Sequence, residues 1–115
     1  MRLPPALAAS ATPRILELLG PPPGRVLELG FAGIHAELLR LAGFDVVVVE
    51  PDPAYLDRAR ERAGAALTAP PNARFDAAVV ADGADLTGVR AARILVVTRD
   101  GAVARFNEAD GGCLG

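Results

Sequence analysis

Apolar positions along the chain fall into two kinds of run that alternate with each other. Val26, Leu27 and Leu29, then Val46 to Val49, Phe75 to Ala81 and Arg93 to Thr98, are short blocks rich in Val, Ile, Leu and Ala, bounded by turn residues. The unbroken valines at 46–49 suit a parallel strand covered on both faces. Between the blocks, apolar residues recur at helical spacing. Thr12 and Pro13 read as the cap and first residue of a helix whose apolar face is Ile15, Leu16, Leu18 and Leu19 and whose stop is Gly20. Ile34, Leu38, Leu41 and Ala42 predict a second helix ended by Gly43. Asp52 and Pro53 open a third through Arg62, with Leu56, Ala59 and Ala63 inward and Gly64 after it. A weak strand near Ala65 to Thr68 and a brief helical turn from Ala84 to Ala92 follow. Arg99, Asp100 and Gly101 then turn the chain into Ala102 to Phe106, an antiparallel edge strand that closes a hairpin. The order predicts an α/β fold: a three-layer, mostly parallel sheet with a C-terminal antiparallel hairpin strand. It forms one domain over residues 1–115, with 1–24 as a helical lead-in.

The chemistry concentrates at the first two strands. Gly30 lets the chain leave the first strand sharply, because a residue without Cβ tolerates positive φ and a close backbone approach. Ala32 and Gly33 keep that turn narrow, and the N-terminus of the following helix is expected to direct free N–H groups at an anion. Glu50 ends the second strand, twenty positions after Gly30. There it can accept hydrogen bonds from a ribose diol and repel a 2′-phosphate, which disfavours NADP. Asp82 and Gly83 end the fourth strand, where Asp82 faces the same crevice.

Dinucleotide-binding turns want glycines as G-x-G-x-x-G, and His35 stands where the third would be. Glu28-Leu29-Gly30 resembles instead the E-x-G opening of motif I in the class I S-adenosylmethionine-dependent methyltransferases. The lead-in ILELLGPPPGRVLELG and Glu50 extend the resemblance over about Ile15 to Ala63. It implies a small or shortened Rossmann-like member that binds S-adenosylmethionine through Glu28, Gly30, Ala32, Gly33, Glu50 and Asp82, with Glu50 on the ribose and Asp82 near the methyl or acceptor end. The chain departs from the family's E-x-G-x-G-x-G at Ala32 and Ile34, and the branched Ile34 is expected to crowd the methionine end. Only Thr68 and Asn72 are available to meet adenine. No catalytic residue is assigned, since transfer from a sulfonium is a direct displacement helped mainly by alignment. The acceptor is left open, as is a homodimer or partner subunit that would complete its site.

Composition narrows the partners. A net charge of -2 with no basic patch interleaved with aromatics argues against nucleic acid. All twelve basic residues are arginine, read as coding bias, and the 23 alanines imply close helix–sheet packing. No run approaches the roughly 20 apolar residues that span a bilayer, and two prolines interrupt the signal-like N-terminus. With a lone Cys113 unable to form an internal disulfide, a cytoplasmic location is expected. No His, Cys and carboxylate cluster has metal-ligand spacing.

Other readings attach to the same residues. The glycines could serve any doubly wound turn, Glu50 could be a solvated strand end, and His35 is expected on the exposed first turn of its helix. The alternatives to an enzyme are a non-catalytic subunit that binds an adenosine ligand or a partner, and a dinucleotide-binding regulatory domain.

Overall fold

The blocks read as strands assemble side by side. In the computed structural model, which describes residues 4–106 and the strand at 109–110, β1 (Arg25–Leu29), β2 (Asp45–Val49), β3 (Ala77–Ala81) and β5 (Ile94–Val97) are parallel, and β6 (Val103–Phe106) returns antiparallel beside β5. Their order is β2-β1-β3-β5-β6. The helices are α1 (Pro5–Ser10), α2 (Thr12–Leu19), α3 (Ala36–Ala42) and α4 (Pro53–Ala63), while β4 (Arg90–Ala91) and β7 (Ala109–Asp110) form a separate antiparallel ribbon. The fold is Rossmann-like α/β. The strand expected near Ala65 is reduced to one bridge, Leu67 against Val49. From β1 the chain therefore runs outward through β2 to that bridge, then crosses back to β3 on the other side of β1. This reversal makes a topological switch point, and crevices form beyond the carboxyl ends of strands there.

Strand alternation divides the core in two. Val26, Val46, Val48, Val79, Leu95 and Val97 face one side, where all four described helices pack through residues such as Ile15, Leu19, Leu39 and Ala59. Leu27, Leu29, Val49, Val80 and Ile94 face the other, covered by Phe75, Val89, Ala91 and part of Leu86. The layer on that second face is made of connecting segments and β4, not helices. The helical turn expected over 84–92 does not form: Asp85 Oδ1 accepts from the Thr87 N–H and hydroxyl, and Gly88 adopts φ +83. Such local side-chain bonds draw the backbone into a turn instead of a helix.

Three further differences have local causes. Pro4 and Pro5 do not break the N-terminus but start α1, because a first-turn N–H needs no partner. Thr12 is the first residue of α2 and not its cap; its hydroxyl donates to the Ala9 carbonyl at 2.9 Å. In α3 the inward face is Ala36 and Leu39, whereas Leu38 and Leu41 are 50% and 77% exposed. Residues 31–35 are turns, so a helical count that begins at Ile34 has the wrong phase.

Two arginines tie distant pieces. Arg93 donates to the Leu18 and Leu19 carbonyls at the end of α2, and Arg40 to the Ala63 and Val46 carbonyls. Each satisfies carbonyls that a helix end or strand edge would leave open. Among the described residues, no helix is long and apolar enough to cross a membrane. Cys113 lies outside the described residues.

Candidate functional site

Beyond the carboxyl ends of β1 and β3 lies a crevice of two adjoining compartments. The smaller, about 230 Å³, runs beneath Pro4, Pro5 and Ala8 and is walled by Phe31, Ile34 and Val97, with Arg58, Arg62 and Arg99 supplying its cations. The larger, about 570 Å³, is bordered by Pro51, Asp52, Gly83 and Asp85. Gly30, Tyr55, Ala81 and Asp82 line both. Gly30 sits at φ +88, and a Cβ there would come 3.3 Å from the Ala81 Cβ. The missing side chain thus lets the end of β1 lie against the end of β3 at the crevice floor.

The two acids singled out in the sequence lie under this floor. Glu28 and Glu50 are fully buried, and neither lines a compartment. Glu28 Oε2 accepts from the His35 N–H at 2.6 Å. Glu50 Oε1 accepts from the Ala32 N–H and Oε2 from the Asp52 N–H, both at 3.0 Å. The Ile34 and Ala36 N–H groups close the turn on the Phe31 and Gly33 carbonyls. These N–H groups are therefore satisfied from within, and α3 starts too late to direct them at an anion. The expected anion cradle at this helix start is held instead by the chain's own carboxylates.

Burial sets the protonation of this cluster. Glu28 stands between Val48 and Val79 in the sheet register, and desolvation pushes its pKa up to about 7, against a smaller opposing effect of the His35 N–H. His35 is fully buried, not exposed as its sequence position suggested, and burial lowers its pKa to about 4. It is neutral at neutral pH. Since the single Thr12 hydroxyl proton goes to the Ala9 carbonyl, His35 Nδ1 donates to Thr12 Oγ1 at 2.8 Å. Among the described residues His35 Nε2 and Glu28 Oε1 are buried without a hydrogen-bond partner. Phe31 packs edge-on against the imidazole, 4.7 Å between ring centres.

The remaining sequence candidates divide. Gly30, Ala32 and Asp82 border the crevice, and Gly33 does not: at φ +76 it packs on α4, where a Cβ would meet the Ala59 carbonyl at 3.2 Å. Ile34 is half-buried in the wall of the smaller compartment, which stays open beside it. Thr68 and Asn72 are exposed and border neither compartment. Asp82 faces Arg99 at 3.9 Å.

Sequence reasoning missed Tyr55, Arg58 and Arg62 as crevice residues. The helical period of α4 separates its wet face from its dry one, but not which part of the wet face borders the crevice. Asp52 was legible only as a cap, and it does cap α4, accepting from the Ala54 N–H at 2.9 Å. Among the described residues no group of three or more His, Cys, Asp and Glu could hold a metal ion. Comparison with known proteins finds no family model that matches the chain and no matching curated protein.

Proposed function

We propose that this chain is a methyltransferase-like protein that binds S-adenosylmethionine in the larger compartment of the crevice, with its sulfonium at the junction with the smaller one. The observation that carries the reading is the position of Asp82, a carboxylate at the switch point that lines both compartments. The larger compartment falls within the roughly 300–1,000 Å³ of small-molecule sites. Asp52 and Asp85 border it, each using Oδ1 in a local turn or cap, and such acceptors suit the hydroxyl and amino donors of a nucleoside. A sulfonium at the junction would lie beside Asp82. In methyl transfer an acceptor lone pair forms the new bond to carbon while the C–S bond breaks and sulfur keeps the electron pair, so the protein's part is to align the two. Glu28 and Glu50 then act as positioning residues that fix the turn under the ligand.

A second reading is a non-catalytic subunit that binds the same adenosine ligand. It is favoured by the inward placement of Glu28 and Glu50, which leaves the crevice without the direct contacts the resemblance implies.

The melting midpoint measured beside S-adenosylmethionine, S-adenosylhomocysteine, NAD and ATP tests both. A ligand at a hundred times its dissociation constant adds about 2.7 kcal/mol, roughly 10 °C or more for a domain of this size. The expected shift comes with the first two only. Asp82→Asn is expected to reduce the preference for the sulfonium over the neutral thioether. No shift with any of the four overturns both readings, and binding without methyl transfer to any acceptor leaves the second.

A further inference from the structure

The smaller compartment differs in chemistry from its neighbour. Its walls are apolar, through Phe31, Ile34 and Val97, and its roof is the start of α1. Its cations are Arg58 and Arg62, four residues apart on one face of α4, and Arg99 across the opening. Arg62 donates to the Ala32 carbonyl at 3.2 Å, which holds its guanidinium against the turn. Arg58 makes no hydrogen bond or ion pair among the described residues. Arg99 is already opposed by Asp82.

Two guanidiniums one helical turn apart can fork onto a single carboxylate, and the apolar walls suit an uncharged body attached to it. A zwitterionic amino-acid tail suits this compartment poorly. Its ammonium group would share the space with three guanidiniums, and the one side-chain carboxylate there, Asp82, stands at the junction. At about 230 Å³ the compartment also falls below the roughly 300–1,000 Å³ of most small-molecule sites, which leaves room for a small ligand only. We propose that it binds a small carboxylic acid, as the anion, as a second ligand next to the nucleoside, with Arg58 and Arg62 on the carboxylate. That this acid is the methyl acceptor rests on the function proposed above; that it binds does not.

Isothermal titration of the full chain with isovalerate and phenylacetate, and with phenylacetamide as the uncharged counterpart, tests the site. Each titration is repeated in the presence of S-adenosylhomocysteine and of 5′-methylthioadenosine, which lacks the amino-acid tail. Expected is binding of an acid but not of the amide, undiminished by either nucleoside. Removal of one charge-assisted hydrogen bond is worth about tenfold or more in affinity, so Arg58→Gln and Arg62→Gln should each weaken the acid by that factor. Neither substitution should change 5′-methylthioadenosine binding. An acid displaced by S-adenosylhomocysteine but not by 5′-methylthioadenosine would assign the arginines to the nucleoside's own tail and overturn the proposal. Equal binding of acid and amide, or no binding of either, would overturn it too. If neither nucleoside binds, the function proposed above fails while the acid titration still reads this site.

Discussion

Glu28 and Glu50 hold opposite ends of one turn, Glu50 through the Ala32 N–H and Glu28 through the His35 N–H three residues later. The two carboxylates reach the turn from neighbouring strands, β1 and the end of β2. They form the internal frame on which the crevice floor rests, and most of the expected effects of mutation originate there.

The first concerns pH. A carboxyl whose folded pKa is raised from 4.5 to about 7 gives stability that is complete below about pH 4.5 and is lost as pH rises through 7. His35, lowered from 6.5 to about 4, acts in the opposite sense: its contribution is present above about pH 6.5 and is lost as pH falls through 4. Over the shared range the two slopes oppose each other. Glu28→Gln removes the falling one and keeps an acceptor for the His35 N–H. In urea titrations the variant should gain on the parent by about 3 kcal/mol between acid and neutral pH. A constant difference across that range would contradict the assignment.

Glu50→Ala leaves the buried Ala32 N–H without its acceptor, at a cost of about 1–3 kcal/mol. Glu50→Gln retains one carbonyl oxygen and should recover part of the loss. Denaturant midpoints of the two variants, ranked against the parent, check this.

Ala32 is the one described residue other than glycine with positive φ, at +52. Ala32→Gly relieves about 1–2 kcal/mol of left-handed strain and raises unfolded-chain entropy by a similar amount, so it should change stability by less than about 1 kcal/mol. Gly33→Ala adds strain at φ +76 and a close approach to the Ala59 carbonyl, and should cost about 1–3 kcal/mol. Thermal melts of both variants read the contrast.

The phase of α3 is equally open to test. Leu39→Ala should cost about 2–5 kcal/mol, and Leu41→Ala, on the exposed face, less than about 0.5 kcal/mol. A larger loss at Leu41 than at Leu39 would restore the phase read from the sequence.

What was legible in the chain follows from the range of the forces involved. The strands at 25–29, 45–49, 77–81 and 94–97, the hairpin at 99–106 and the Asp52 cap rest on local composition and turn chemistry, and they stand within one or two residues of where the pattern put them. Gly30 and Asp82 were legible as crevice residues because a strand's carboxyl end at a switch point in a parallel α/β sheet is a fixed address. The burial of His35 was not, because its partner is Thr12, twenty-three residues away. The inward turn of Glu50 was hidden for the same reason: its partner Ala32 lies on another loop, and a strand-end carboxylate looks identical in sequence whether it meets a ligand or a backbone amide.

The Thr12–His35 bond has a mechanical consequence. Thr12 holds the corner between α1 and α2 through the Ala9 carbonyl, and α1 roofs the smaller compartment, while His35 is anchored to Glu28 beneath the floor. Ceiling and base are thus pinned at a single hinge point by an uncharged imidazole. Acid strong enough to protonate that ring adds its proton at the unpartnered Nε2 and leaves the Nδ1–H bond to Thr12 in place, but it puts an uncompensated charge in the seam that joins the two, so the cleft should loosen as a unit.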